Sequence, residues 1–504
     1  MSLIVKDAVR QILGRLASAV WGFLVIKLIT PYLGPLRFGD YSTILKYFAI
    51  WSAFADFGLY VIAMKQLGDL KSKIWEGIKG NTEQLSTYYN KFVSSRLFMI
   101  GLVYSTALLI AYLIPSYTSN PYLVWWLPLG MIFSASFMTA GILQIPLQLF
   151  WKMKHLSIGL ILARIVQIAI LWVSIYHIYP LIDFSNANPA IRAFNAILIS
   201  VIASGVTQWI YVYLVGKQYL PLKRNRDRSF TKSLLASNRQ YGLAYYLSSF
   251  HTLIVVILLS IFYPTTEWFI YTGIYGLALS LIEILLIIPS ALGNSLLHDI
   301  GSVTNEKKRM RFGTLMSVVF IIGLLVIANF IIFAPHIINF LGWEKYLTSA
   351  SSIGSDWILP FLGIVITLSF IKQVFNYLFV STDHHNKLLW INLFGVVVWV
   401  WIWIPLLLNH NIIWWVVTQI VLELLFVLWA LYVAWKEWVI PKLGHIFNRR
   451  LLARLAWTFI VMLWTYRYLD FSVQWYRWIL VAGLLNAFVG FILYPSVKRV
   501  LREL

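Results

Sequence analysis

Long apolar runs, each near the length needed to cross a lipid bilayer, recur along almost the whole 504-residue chain with short polar breaks between them. A transmembrane helix needs about 20 largely apolar residues. The chain is 60% hydrophobic and only 12% charged, whereas soluble domains use charged residues for about a quarter of their sequence. Too few polar side chains are present to cover a core in water, so the sequence predicts an all-α polytopic membrane protein.

Fourteen apolar segments are predicted to be transmembrane helices, numbered here in chain order. They span residues 8–33, 43–66, 92–114, 122–150, 156–178, 192–216, 240–262, 268–297, 313–335, 357–380, 388–408, 411–435, 451–468 and 475–496. Segment 1 is expected to be retained, because no apolar stretch precedes its cleavage-like Ala17-Ser18-Ala19 sequence. Tryptophans stand near several segment ends, where such rings favour the head-group region. They are Trp125, Trp126, Trp268, Trp343, Trp414, Trp415, Trp435 and Trp438.

The net charge of +21 follows the membrane topology rather than a nucleic-acid-binding patch. Lysine and arginine are concentrated at the N-terminus, at the C-terminus and in alternate gaps between segments, as expected of cytoplasmic loops. The intervening gaps hold only Arg37, Arg192, Lys345, Arg467 and Arg477. This alternation predicts an even number of helices with both termini in the cytoplasm. The absence of cysteine excludes disulfides and thiolate chemistry.

The longest internal basic break divides the predicted helices into two groups. Residues 218–239 contain few apolar side chains and are predicted to be a basic cytoplasmic linker. The sequence therefore predicts an N-lobe of segments 1–6 over residues 1–217 and a C-lobe of segments 7–12 over residues 240–437. Segments 13 and 14 occupy residues 438–504.

The first two segments carry an ordered series of short motifs. They are Ile12-Leu13-Gly14-Arg15, Tyr32-Leu33-Gly34-Pro35, Phe38-Gly39-Asp40-Tyr41-Ser42 and Ala55-Asp56-Phe57-Gly58-Leu59. This series resembles the N-terminal signature of the polysaccharide-biosynthesis flippases, which belong to the multidrug/oligosaccharidyl-lipid/polysaccharide (MOP) exporter superfamily. The motifs cover about 50 residues, and the number and grouping of helices match the rest of the family pattern.

The resemblance implies two six-helix lobes around a central cavity, with segments 13 and 14 as a C-terminal addition. It implies a transporter and not an enzyme. The expected activity is flipping of a polyprenyl-diphosphate-linked oligosaccharide across a prokaryotic cytoplasmic membrane by alternating access. In this family the first two helices of each lobe line the cavity, which places Arg15, Asp56 and Glu283 near it. The expected protein is a monomer in contact with membrane lipid and associated with glycan-assembly proteins.

Ionisable side chains inside apolar segments are costly in the bilayer and are expected to mark a transport path or an ion pair. Arg15 and Asp56 have similar depths in neighbouring segments, so we expect them to pair, for either a structural or a functional reason. Lys27, Lys46 and Arg96 lie nearer the surfaces, where long side chains reach the head groups. Those that lie about 10 to 20 Å from the inner helix ends are Arg15, Asp56, Arg164, Glu283 and Lys372.

Basic residues at this depth suit a diphosphate group, because the planar guanidinium of arginine matches two phosphate oxygens at once. The second lobe adds a polar and aromatic face suited to sugar hydroxyls and ring faces, although aromatic stripes also serve packing. This face comprises Tyr245, Tyr246, Ser248, Ser249, His251, Tyr271 and Tyr275. We predict that Tyr245, Tyr246, His251 and Tyr271 contact the substrate together with the deep charged residues.

Two other classes of protein remain open at this stage. A drug or cation antiporter of the same superfamily would favour acidic residues in its cavity, whereas the deep charges are mostly basic. A membrane glycan polymerase or ligase would need a larger outer loop than residues 336–356, the longest predicted here.

No metal or organic cofactor is predicted. His384 and His385 follow Asp383 but lack further ligands at helical spacing, and no phosphate-binding loop for ATP occurs. Coupling to a proton or a sodium ion is expected at Asp56 or Glu283, because a buried carboxyl group is readily protonated.

The predicted topology can be tested with reporter fusions. Alkaline phosphatase fused after Thr118 should be active, because the gap between segments 3 and 4 is predicted to lie outside. The same enzyme fused after Lys154 or Lys223 should be inactive, because both positions are predicted to lie in the cytoplasm. Green fluorescent protein at the same three positions should give the opposite pattern. Active phosphatase after Lys223 would contradict the assigned orientation.

Overall fold

The computed structural model describes residues 3–75, 82–180, 187–223, 225, 227–262, 266–286, 305–342, 344–349, 352–381, 384–407, 412–436, 460 and 486. The regular elements within these ranges are all helical. The chain forms two compact units, Met1–Gly276 and Leu277–Leu504. The predicted lobe boundaries at 217 and 240 stay a prediction.

The first unit contains long membrane helices separated by short helical turns. Its helices are α1 (Leu3–Asp56), α2 (Leu59–Trp75), α3 (Thr82–Leu113), α4 (Pro115–Thr118), α5 (Pro121–Val124), α6 (Leu127–Leu143), α7 (Ile145–Leu149), α8 (Met153–Val173), α9 (Ala187–Gly216), α10 (Arg228–Ser237), α11 (Arg239–Phe262) and the first half of α12 (Thr266–Leu285). A π-helical turn at Ser174–Ile178 extends α8. Helix α1 packs against α3, α6, α8 and α11, so it is central to this unit.

The second unit contains the end of α12 and four further helices among its described residues. These are α13 (Asn305–Gly342), α14 (Ser355–Ser381), α15 (His385–Leu407) and α16 (Ile412–Lys436). Helix α14 packs against α13, α15 and α16. Predicted segments 1 to 12 each overlap a described helix, but segment 2 is interrupted at Phe57 and Gly58, and residues 287–297 of segment 8 lie outside the described residues. Segments 13 and 14 lie outside the described residues, apart from Ile460 and Asn486, so the count of fourteen stays a prediction.

Helix α1 consists of two arms that meet at Gly34. The backbone of Gly34 has φ 67° and ψ 172°, and Pro31 and Pro35 flank it. At about 1.5 Å per residue, a straight helix of this length would measure roughly 80 Å, whereas the hydrocarbon core is about 30 Å thick. The arms therefore correspond to the two crossings predicted for segments 1 and 2. The gap between segments 1 and 2, residues 34–42, is helical except at Gly34, because a proline is well suited to start a helix.

Eight helical stretches among the described residues are long and apolar enough to cross a membrane. They are Ala17–Ile74, Glu83–Leu113, Pro121–Leu149, Met153–Ile178, Pro189–Gly216, Leu315–Gly342, Ser355–Asn376 and Ile412–Lys436. The first stretch contains both arms of α1. Many large apolar side chains face outward, including Leu113, Trp125, Trp401 and Trp435, each more than 70% exposed. Since a soluble protein would not expose so much apolar surface, the chain is a multi-pass membrane protein.

The predicted linker contains a docked helix. Asp227 caps α10 by accepting a hydrogen bond from the backbone N–H of Phe230 at 2.9 Å, and it pairs with Lys91 of α3 at 2.8 Å. The ring of Phe230 packs edge-on against Tyr88 and Phe92, also in α3. Hydropathy did not predict α10, because this helix is short and mostly polar.

The charge of Asp227 should hold α10 against α3 in a pH-dependent way. The pKa of Asp227 lies well below its usual value, first because of the hydrogen bond from Lys91 and then because of those from Phe230 and Ser229. A carboxyl group with a lowered pKa stabilises the folded form above the unfolded-state value of about 4, and this stabilisation is lost as the pH falls further.

The chain has no cysteine, so a nitroxide can be placed at exposed Ala236 of α10 through Ala236→Cys. Adding Asp227→Asn should increase the mobility of this label at pH 7, and the difference should shrink below about pH 4. Equal mobility of the two proteins at pH 7 would show that the ion pair does not hold α10.

Candidate functional site

A charged pair lies buried between α1 and α3. Asp56 is the last residue of the second arm of α1, and its Oδ1 lies 2.7 Å from Nη1 of Arg96. Both residues are buried, with Arg96 only 3% exposed. A buried pair is stabilising only while both partners are present, because removal of one leaves an isolated charge.

The same carboxylate interacts with a third helix. Tyr245, in α11, lies within electrostatic range of the Asp56 carboxylate. Asp56 therefore links α1, α3 and α11. Sequence analysis selected Asp56 and Tyr245 and missed their common contact, because hydropathy does not show which helices are neighbours.

The backbone breaks directly after Asp56. Phe57 and Gly58 have positive φ angles of 43° and 69°, a region that glycine adopts freely and phenylalanine rarely. Helix α11 packs tightly on this break: a Cβ on Gly242 would lie 2.2 Å from the Phe57 ring, and a Cβ on Gly58 would lie 2.6 Å from the Tyr241 ring. The Asp56-Phe57-Gly58 motif thus ends α1 and forms the surface on which α11 packs.

Further polar groups surround the pair. The hydroxyl groups of Tyr104 and Ser52 share a hydrogen bond of 2.6 Å. Tyr104 lies within electrostatic range of both Asp56 and Arg96. Such a connected polar network in an apolar bundle is costly to build unless its members are satisfied.

Two predictions about charged side chains near the surfaces are wrong. Arg96 does not extend to the head-group region but pairs with Asp56, and Lys46 is 6% exposed and buried inside the first unit. Hydropathy predicted how deep Arg96 and Lys46 lie along their helices, but it did not predict which face of the helix each side chain occupies. Since the structure describes no side-chain position for Arg15, its predicted pairing with Asp56 stays a prediction.

Arg164 occupies a different environment. It lies eleven residues into α8, about 16 Å from the start of that helix. Its Nη1 donates a hydrogen bond of 2.7 Å to Oε1 of Gln167, and Tyr41 of α1 lies within electrostatic range. In the part of the chain that the structure describes, no carboxylate pairs with Arg164.

A second polar cluster follows the Gly34 break. Arg37 Nη1 lies 3.0 Å from Oδ2 of Asp40, and Nδ2 of Asn120 donates to Oδ1 of the same carboxylate at 2.8 Å. The Arg37 guanidinium also stacks 3.6 Å above the ring of Tyr122. The charge of Arg37 is therefore balanced by Asp40, which has no exposed surface.

The second unit contains its own buried ion pair. Lys372 Nζ in α14 lies 2.8 Å from Oε1 of Glu423 in α16, and Ser369 donates to the same oxygen at 2.9 Å. The ammonium lies 5.0 Å from the ring centre of Phe426. Sequence analysis found Lys372 and missed Glu423, although a carboxylate in the middle of an apolar segment is the signal that selected the others.

The remaining predicted site residues are dispersed along α11 and α12. Tyr246 packs edge-on against Phe54 at 5.2 Å between ring centres, which supports the packing interpretation of this ring. Tyr271 and Glu283 are half-buried in α12. His251 belongs to α11, but its side chain lies outside the described positions. Their predicted contact with substrate stays a prediction.

Comparison with protein families gives a match over most of the first unit and beyond. The family described as "Polysaccharide biosynthesis protein" matches residues 4–293, more than half of the chain. The chain belongs to this family. A search of curated protein sequences gave no match.

Solved structures show the same fold at low sequence identity. "Lipid II flippase MurJ, inward closed conformation" has a TM-score of 0.67 and 14% identity, covering 97% of this chain and 100% of that one. An outward-facing multidrug resistance MATE transporter of the MOP superfamily has a TM-score of 0.58 and 15% identity, covering 86% and 96%. A MOP superfamily transporter from Pyrococcus furiosus, described as having a binding pocket of reverse polarity, has a TM-score of 0.57 and 15% identity, with the same coverage.

The comparisons confirm the predicted family and show that the chain has the fold of MOP superfamily transporters. The protein is a multi-pass membrane transporter of the polysaccharide biosynthesis family and not an enzyme. The polymerase or ligase alternative is thereby set aside.

The Lys372–Glu423 pair can be tested through stability. Lys372→Met should lower the free energy of unfolding by about 3 to 5 kcal/mol, because Glu423 would be left buried without its cation. The double variant Lys372→Met/Glu423→Leu should recover most of this loss. Unfolding in mixed micelles, followed by tryptophan fluorescence, measures both effects, and equal stability of the wild type and Lys372→Met would contradict the pairing.

Proposed function

We propose that this transporter flips a polyprenyl-diphosphate-linked oligosaccharide from the cytoplasmic to the outer leaflet. The observation that carries the proposal is Arg164, a half-buried residue of α8 that has Gln167 and Tyr41 as polar neighbours and no described carboxylate partner. An ionised group so deep in a membrane helix is costly unless an opposite charge or water reaches it. A diphosphate head group supplies that charge.

Three of the other cations have a carboxylate partner. Asp56 balances Arg96, Asp40 balances Arg37, and Glu423 balances Lys372. Arg164 differs from these three because it has no described carboxylate partner, and its planar group can bind two phosphate oxygens together. A cation antiporter would place an unbalanced carboxylate there instead.

The family supports the rest of the proposal. Its description names polysaccharide biosynthesis, and a similar fold is that of a lipid II flippase. We propose that the protein lies in a prokaryotic cytoplasmic membrane with both termini inside, and that it works by alternating access while the lipid tails remain in the bilayer. A coupling proton or sodium ion would bind at Asp56 or Glu283, and glycan-assembly proteins would be its associates.

Substitution of Arg164 tests this function. In cells that lack the native protein, Arg164→Ala should reduce surface glycan by about tenfold or more, because a charge-assisted bond to phosphate is lost. Arg164→Lys should recover part of the display, because lysine keeps the charge but not the bidentate geometry. Lectin labelling of intact cells measures display, and lipid-linked glycan should accumulate inside.

Arg192→Ala is the matched control, since Arg192 is exposed near the start of α9. It should display glycan as the wild type does. Wild-type display by Arg164→Ala at equal protein level would remove Arg164 from the transport path and with it the main support for an anionic substrate.

A further inference from the structure

Arg96 is a second deep guanidinium in the first unit, and its hydrogen-bonding capacity is only partly used. Its Nη1 approaches Asp56 at 2.7 Å, but the N–H direction is unfavourable, and neither Nη1 nor Nε makes a hydrogen bond with a described residue. Nη2 contacts only the thioether sulfur of Met138, at 3.8 Å. A guanidinium has five N–H donors, and a sulfur is a weak acceptor. Arg96 thus retains N–H groups that could donate hydrogen bonds to a phosphate.

The position of Asp56 depends on α11. Gly242 of α11 packs against the ring of Phe57, the residue directly after Asp56, and Tyr245 of the same helix lies within electrostatic range of the Asp56 carboxylate. Because Phe57 and Gly58 interrupt the helix directly after Asp56, this carboxylate lies at the end of a helix rather than within one. Movement of α11 would release both the Asp56 carboxylate and the backbone next to it.

We propose that Arg96 is a second phosphate-binding residue of the transport path, and that Asp56 is a built-in competitor that occupies Arg96 until α11 moves. This inference rests on the proposed flipping of a lipid-linked diphosphate. In the structure the pair is closed, with Arg96 buried against Asp56 and Tyr245 of α11 within electrostatic range of the carboxylate. When Tyr245 withdraws, Asp56 can leave, and the guanidinium becomes available to a phosphate.

The competition adds selectivity that an exposed arginine would lack. A weak anion cannot displace a carboxylate already in contact with Arg96, whereas a diphosphate carries more charge and more acceptor oxygens. The site then binds its ligand and shifts α11 in the same event, because the two are linked through Asp56.

Binding of farnesyl diphosphate to the full-length protein in nanodiscs tests the competition. Asp56→Asn should bind this probe about tenfold more tightly than the wild type, since the competing charge is removed. Tyr245→Phe should also tighten binding, by a smaller factor. Arg96→Gln should weaken binding, and the double variant Asp56→Asn/Arg96→Gln should lose the gain seen with Asp56→Asn alone. Arg192→Gln, at an exposed arginine, serves as the control.

The two proposals fail in different ways. If Arg164→Gln weakens binding while Asp56→Asn does not tighten it, the proposed function stands and the role of Arg96 is overturned. If the wild type binds no farnesyl diphosphate and Arg164→Ala displays normal glycan, the anionic substrate itself is overturned.

If Arg96→Gln does not fold, Arg96→Lys provides an alternative test, because lysine keeps the positive charge. This variant should bind farnesyl diphosphate and farnesyl monophosphate with a smaller difference than the wild type, because lysine lacks the bidentate fork. An unchanged preference would also overturn the role of Arg96.

Discussion

Charge balance inside an apolar helical bundle is the constraint on which the other features depend. A guanidinium or carboxylate taken from water into hydrocarbon is costly, so its partners define where helices must meet. Asp56 brings α1, α3 and α11 together, and Glu423 joins α14 to α16. Arg164 departs from this pattern among the described residues, because its strong partner is an uncharged glutamine.

The Asp56 junction combines electrostatic and steric control in one short segment. The carboxylate holds Arg96, the following two residues leave the helical region, and glycines allow α11 to approach closely. A rigid helix at this point would hold the carboxylate in place whatever α11 did. The break instead makes the ion pair responsive to one neighbouring helix, a property suited to a transporter that must alternate between states.

Sequence patterns located the charged residues far better than their contacts. Hydropathy predicted all twelve segments that the described helices cover, and the cost of intramembrane charge selected Asp56, Arg164 and Lys372. The assignment of Arg96 to the membrane surface was wrong, and Glu423 was overlooked. Depth along a helix follows from counting residues, whereas the face and partner of a side chain follow from packing between distant segments.

The sequence by itself determined that this protein is built from membrane-spanning helical segments, because each apolar run must satisfy its backbone hydrogen bonds within a helix when water is absent. Its motifs also indicated the family. Only the tertiary structure showed that Asp56 forms an ion pair with Arg96, that Glu423 forms one with Lys372 and that Arg164 has no described carboxylate partner. Ion pairing depends on distances of a few ångströms between helices, and those distances are set by side-chain packing across the bundle.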